Sequence, residues 1–225
     1  MKTIPQTQRQ QAMMLIEWLA IVFVIILLFG WLLLPRYDSS NSARAKRINC
    51  LGNLKSIGLS FRMWSNDNED KFPWQVPVAT NGTFEFAESP EAFRHFLAVS
   101  NELSSPKVLA CSSDEKVTRV SDWAKVRNTS LSYFIGLDSN EAFPQTILSG
   151  DRNITGGVLA SNGIMRMAAT DQAGWGSDIH KRQGNLGLAD GSALQFSEGS
   201  LRKTIQTALL STNVAALRFS IPKPN

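Results

Sequence analysis

The sequence predicts an α+β fold with one long N-terminal helix, transmembrane at first and then amphipathic, two shorter helices and five to seven strands. Three observations carry this expectation. From Met13 to Leu34 the chain is apolar except for one charge, Glu17. Beyond Pro35, the residues Ile48, Leu51, Leu54, Ile57, Phe61 and Trp64 recur at the spacing of one helical stripe. Further on, short apolar runs alternate with turn residues, and two of them flank Asp190-Gly191, a pair suited to a two-residue type I′ hairpin turn.

Taken in order, residues 1–12 form a basic leader with Lys2, Arg9 and no acid. Residues 13–34 are long enough to cross a bilayer at about 1.5 Å per residue. An ionised carboxylate inside such a segment costs at least a few kcal/mol, so Glu17 asks for a reason. A cleaved secretory signal would have a shorter apolar region and a small-x-small cleavage site, and "GWLLLPRYD" offers none. Residues 35–71 read as the amphipathic continuation of the same helix, with its regular part from about Ser42 to Asn66 and Pro73 just past its end. The acidic "NDNED" lacks the alternating ligand spacing of a calcium loop and reads as a solvated helix end.

Residues 72–225 form the expected globular α+β domain. Ser89-Pro90 predicts a helix start, with Phe93, Phe96 and Leu97 on its buried face and His95 as a structural residue between them. "KVLAC", "SLSYFIG", "QTILSG" and "IMRMAAT" read as strands, and "SDWAKVR" as a short helix capped by Ser121. "SEGSLRKTIQTALLST" predicts a last helix, and "AALRFSIP" a strand closing a sheet edge, because Pro222 ends it.

The formal charge is +4, yet the basic excess is local. Residues 35–71 carry seven basic and four acidic side chains, whereas 72–225 carry fourteen of each. A nucleic-acid-binding domain concentrates positive charge on its folded part; here the charge lies beside the apolar run, where anionic head groups are the nearest partner. Cys50 and Cys111 form no C-x-x-C pair, which removes a zinc or thioredoxin-like motif. A domain outside the cytoplasm would let them bridge, closing a loop of about 60 residues and stabilising by roughly 4 kcal/mol; two separate buried thiols are the alternative.

"AMMLIEWL" resembles the cleavage and methylation site of type IV prepilin-like proteins, with Ala12 as the last leader residue, Met13 as the first mature one and Glu17 as the fifth. The family usually has Gly at the position of Ala12 and Phe at that of Met13. "HKRQGNLGLADG" resembles the H-x9-D-G signature of a large group of bacterial prepilin-type proteins, carried here by His180, Asp190 and Gly191. "ARAKRINCLGNLKSIG", "PKVLACSSD" and "SYFIGLDSNEAFPQTILSGDRN" resemble further segments of one subgroup, in the same order. The resemblance implies a pilin-like fold, the long N-terminal helix packed on an antiparallel β-sheet, with a leader peptidase acting at the cytoplasmic face. It also implies a single pass through the inner membrane with the N-terminus cytoplasmic and the domain periplasmic, from where the subunit is extracted into a filament. The basic count at the two ends of the run (Lys2 and Arg9 against Arg36, Arg44, Lys46 and Arg47) favours the opposite orientation; the peptidase decides for the first.

The function so implied is that of a structural subunit, a pseudopilin or minor pilin of a type II secretion or type IV pilus-like assembly. Its partners would be other pilin-like subunits, a prepilin peptidase, the inner-membrane assembly platform and the membrane itself, with no nucleic acid, metal or cofactor. Its chemistry would not be enzymatic: no Ser or Cys stands in a nucleophile elbow, one His with one Asp is too small a ligand set, and turn geometry alone accounts for Asp190. The alternative is an anchored binding module outside any filament, with Trp175 in the polar "TDQAGWGSDIH" stacking on sugars.

Overall fold

The computed structural model describes the backbone of residues 6–33 and 39–223, with side chains for 17–32 and 42–223. The chain divides into two compact units, Met1–Asn41 and Ser42–Asn225. Within the first lies α1 (Gln6–Leu33). From Trp18 to Leu32 its large apolar side chains are exposed, Trp31 to 77%.

The second unit is built on α2 (Ser39–Asn66), α3 (Phe93–Ala98), α4 (Glu198–Thr212) and nine strands. These are β1 (Tyr133–Gly136), β2 (Ile147–Asp151), β3 (Ile154–Thr155), β4 (Val158–Leu159), β5 (Ile164–Ala168), β6 (Gly174–Trp175), β7 (Gly184–Leu188), β8 (Ala193–Phe196) and β9 (Ala216–Ser220). Seven of them form one antiparallel sheet in the order β4-β5-β9-β1-β2-β7-β8, and β3 pairs with β6 in a small ribbon.

Side chains alternate across a strand, and β1 shows the consequence. Tyr133 and Ile135 join Leu54, Ile57 and Phe61 of α2, together with Phe72, Trp74, Phe96 and Leu109, in one core. Phe134, between them, faces the other way, to a second core with Met167, Leu186, Phe219 and the α4 residues Leu201, Ile205 and Leu209. The sheet is therefore covered on both faces, which is why every residue of β1, β2 and β7 is buried. The α2 stripe is as the spacing predicts from Leu54 to Trp64, while Ile48 at its start is 54% exposed. Residues 67–130 carry no strand; short 3-10 turns and α3 pack Phe72, Trp74 and Phe96 onto α2, with Phe61 and Trp74 edge to face at 5.3 Å.

Several expectations are corrected. The fold is dominated by a seven-stranded antiparallel sheet, and the long transmembrane-then-amphipathic N-terminal helix is not found. The helical residues form two elements, α1 and α2, and among the described residues no helix is long and apolar enough to cross a membrane. The N-terminal helix does not run on as one described element: α1 ends at Leu33 and α2 begins at Ser39. The single-pass inner-membrane placement, with its assigned topology, loses its support with that helix. Residues 1–5 of the leader, Pro35, and the side chains of Ala12 and Met13 lie outside the described residues.

Smaller corrections are local. "KVLAC" is a 3-10 turn, Pro106–Leu109, whose cap Ser105 accepts from the Lys107 N–H. The "SDWAKVR" turn is capped by Asp122 rather than Ser121. Ser89 caps no helix; α3 starts at Phe93. Strand β9 lies inside the sheet between β5 and β1, because Pro222 falls beyond its last paired residue and removes no ladder donor. The last helix is as expected, with Ser197 at its N-cap.

Candidate functional site: a buried cluster around a disulfide

Cys50, on α2, and Cys111, after the 106–109 turn, are joined in a disulfide with Cα atoms 5.1 Å apart. Both are fully buried. The Cys111 backbone N–H donates to Ser132 Oγ at 2.9 Å, and the Ser113 N–H points at Cys111 Sγ from 3.4 Å. Ser112 Oγ lies 3.8 Å from Cys50 Sγ. The Tyr133 hydroxyl donates to the Cys50 carbonyl, fastening β1 to the same turn of α2.

His180 closes the cluster. Its Nε2 lies 3.4 Å from Cys111 Sγ and 3.5 Å from Asp151 Oδ2, at the end of β2. Two features of the chain hold it there. His180, Lys181 and Arg182 have φ of 55, 50 and 64°, three consecutive side chains in the left-handed region that only local support maintains. Asn153 supplies that support, its Nδ2 donating to the carbonyls of Gly176, Ile179 and Gln183.

Asp151 is fully buried, and its Oδ2 accepts from the Asn185 N–H at 2.8 Å and Asn185 Nδ2 at 3.0 Å. Burial pushes its carboxyl up to about 7, against the lowering effect of those two bonds. Burial likewise lowers the His180 imidazole to about 4, helped by the Arg47 guanidinium and opposed by Asp114. Asp114 is itself held in a two-pronged pair with Arg152, both contacts at 2.6 Å. Asp151 Oδ1 and Arg47 Nε are buried without a hydrogen-bond partner.

The other end of the H-x9-D-G segment lies elsewhere. The hairpin of β7 and β8 turns through Ala189, Asp190 and Gly191 with bonds from Gly191 N–H to the Leu188 carbonyl and from Leu188 N–H to the Ser192 carbonyl. This is a three-residue loop with Gly191 at φ 81°, not the expected two-residue turn. Asp190 Oδ1 accepts from the Ser192 N–H, and Arg62 of α2 donates to the Asp190 carbonyl at 2.8 Å. A Cβ on Gly58 would stand 3.3 Å from Gly191 Cα. The signature thus pins both ends of β7 to the face of α2: His180 at the level of Cys50, and Asp190-Gly191 at the level of Gly58 and Arg62.

Of the residues singled out in the sequence, the structure brings together Cys50, Cys111 and His180, and separates them from Asp190 and Gly191. Trp175, which only the alternative of an anchored binding module would expose for stacking on sugars, is 3% exposed in β6. Glu17 lies on the described part of α1 and is exposed. Asp151, Asn153 and Asn185 were not anticipated. Their one signal is polar character inside "SGDRN" and "GNLGL". No family model, curated protein or solved structure matches the chain.

Proposed function

We propose that the chain is a structural subunit, a pseudopilin or minor pilin of a type II secretion or type IV pilus-like assembly, processed after Ala12 by a prepilin peptidase. It turns over no substrate; its partners are other pilin-like subunits and the assembly platform. The observation that carries the reading is α1, apolar and exposed from Trp18 to Leu32. A helix apolar on all sides is a buried helix in its working state, and among the described residues these side chains stand exposed. Like helices of neighbouring subunits would cover it. The H-x9-D-G segment supports the same reading, since its residues serve to fix a strand to α2.

Cleavage after Ala12 creates an amino group on Met13, and Glu17 of an adjacent helix is its natural counter-charge. At about 4 Å and an effective dielectric near 20 the two attract by roughly 4 kcal/mol before desolvation. Desolvation removes much of that gain, so the pair sets register more than it adds stability. The test compares wild type with Glu17→Leu in cells, by mass spectrometry of the N-terminus and cross-linking between subunits. Both chains are expected to begin at N-methylated Met13, and only wild type to form cross-linked multimers. An N-terminus left at Met1, or equal cross-linking of Glu17→Leu, would overturn the reading.

A further inference from the structure

We propose that the second unit carries a head-to-tail contact surface for a second copy of this chain. The basic start of α2 on one copy, at Arg44 and Lys46, seats on the acidic end of α2 on the next, at Asp67, Asp70 and Glu102. The contact deepens the filament reading and rests on it for the force that gathers the copies.

Charge complementarity is the first support. From Ser42 to Lys55, α2 carries Arg44, Lys46, Arg47 and Lys55 and no acid. Arg47 is half-buried and acts on Asp151 and His180. Arg44 and Lys46 are exposed, and neither has an ion-pair partner among the described residues. At the other end the helix runs out into "NDNED". Asp67 and Glu102 line one cleft of about 460 Å³, with Asn68, Ser100 and Asn101. Asp70 lines a second cleft, where the cations are already engaged, Arg62 with Glu141 and Lys71 with Glu69. Asp67, Asp70 and Glu102 have no ion-pair partner among the described residues, and Glu102 Oε2 is buried without a hydrogen-bond partner. These acids also stand at a helix C-terminus with no base in its last turn, where the partial negative charge of the helix disfavours them. A cation brought from outside answers both.

Geometry is the second support. Lys46 and Asp67 lie at opposite ends of one continuous helix, about 31 Å apart at 1.5 Å per residue. They cannot meet within a chain, so the match is one between copies. It joins two different patches. Each copy therefore keeps one patch of each kind for another neighbour, and the array grows without closing. Exposed ion pairs are individually weak and are screened by salt. The contact accordingly sets the register of neighbouring domains and leaves cohesion to α1. An antiparallel pair of α2 helices would match the same charges, but it would close at two copies.

The experiment uses the full chain with its disulfide intact, in mild detergent at low salt. A carbodiimide couples carboxylates to amines with no spacer, and linked peptides are mapped by mass spectrometry. Expected are links from Lys46 to Asp67 or Asp70, in a ladder that runs past the dimer. Their yield should fall at least about fivefold near 1 M salt, where the screening length is about 3 Å. Two variants then exchange the charges: Arg44→Glu/Lys46→Glu, and Asp67→Lys/Asp70→Asn. Asparagine is chosen at position 70 because it tolerates the left-handed φ of 56° found there. Both variants should keep the denaturation midpoint of the wild type. With an amine-reactive cross-linker, each alone should lose the ladder, and an equal mixture should regain it.

The proposal is overturned by wild-type chains that give no Lys46 link to Asp67 or Asp70, by a ladder that stops at the dimer, by variants that multimerise alone as wild type does, or by a mixture that recovers nothing. Residues 1–17 are unchanged throughout, so the two readings fail separately. Missing links in a chain that begins at Met13 overturn the head-to-tail contact alone. Links present in a chain that still begins at Met1 in the cell uphold the contact and overturn the processed-subunit reading.

Discussion

His95 is fully buried, with Nδ1 2.7 Å from Thr83 Oγ1, Nε2 unpartnered and its ring edge-on to Trp74 at 5.8 Å. Burial lowers its pKa to about 4. The unfolded chain takes up a proton near pH 6.5, and the folded chain refuses it until about 4. Stability from this residue is therefore complete above pH 6.5 and lost as pH falls toward 4, by roughly 3 kcal/mol in all. His180, also lowered to about 4, acts in the same sense. Asp151, raised to about 7, acts in the opposite sense, because the folded state there holds the extra proton. Those two nearly cancel between pH 4 and 6.5, leaving His95 to set the slope. Denaturant midpoints measured from pH 7.5 to 4 should fall steadily for wild type. For His95→Phe they should start lower, since the buried Thr83 hydroxyl loses its partner, and run nearly flat. A slope unchanged in His95→Phe would show that another group carries the acid sensitivity.

At the scale of elements, α2 holds two glycines that sit in opposite surroundings. Gly52 has open space where a Cβ would be, whereas Gly58 faces the Gly191 backbone. Alanine gains up to about 1 kcal/mol over glycine inside a helix. Gly52→Ala should therefore stabilise by about 0.5–1 kcal/mol in urea denaturation, and Gly58→Ala should lose that gain or reverse it by pushing the 189–191 loop off α2. Equal stabilisation by both would mean that the loop is not pressed on the helix. Elements of this kind were legible where their cause is local. The stripe from Leu54 to Trp64, the last helix and the apolar runs that became β1, β2 and β5 need no knowledge of distant partners. "KVLAC" misled because its apolar residues are buried by a 3-10 turn as well as they would be by a strand. The interior position of β9 was not readable, since strand order is a matter of partners far along the chain. The site divides in the same way. Cys50, Cys111 and His180 were named, yet Asp151 acquires meaning only from His180 and Asn185, which the fold brings to it from another strand and loop.

On the scale of the whole second unit, stability is unevenly supplied. Residues 131–220 are tied by a ladder of strand pairs covered on both faces. Residues 67–130 have no strand at all, and among their described attachments are the packing of Phe72, Trp74 and Phe96 on Phe61 and the Cys50–Cys111 bridge. The bridge closes a loop from residue 50 to 111, a sequence separation of 61 that includes most of the strandless segment, for which chain entropy gives roughly 4 kcal/mol. Because that entropy resides in the loop itself, removing the bridge should release the loop before the sheet. The double variant Cys50→Ser/Cys111→Ser is expected to lose about 2–5 kcal/mol of global stability. Under native conditions its amide exchange should quicken most in residues 67–130, while β2, β7, β5 and β9 keep their protection. The loss of order follows from the sequence of attachments: the aromatic contacts hold the loop near its start, and without the bridge the Ser132 and Tyr133 hydrogen bonds are among the few links left between residues 50 and 111 and β1. Uniform acceleration across sheet and loop would show instead that the two parts unfold as one, and that the bridge acts on the whole unit.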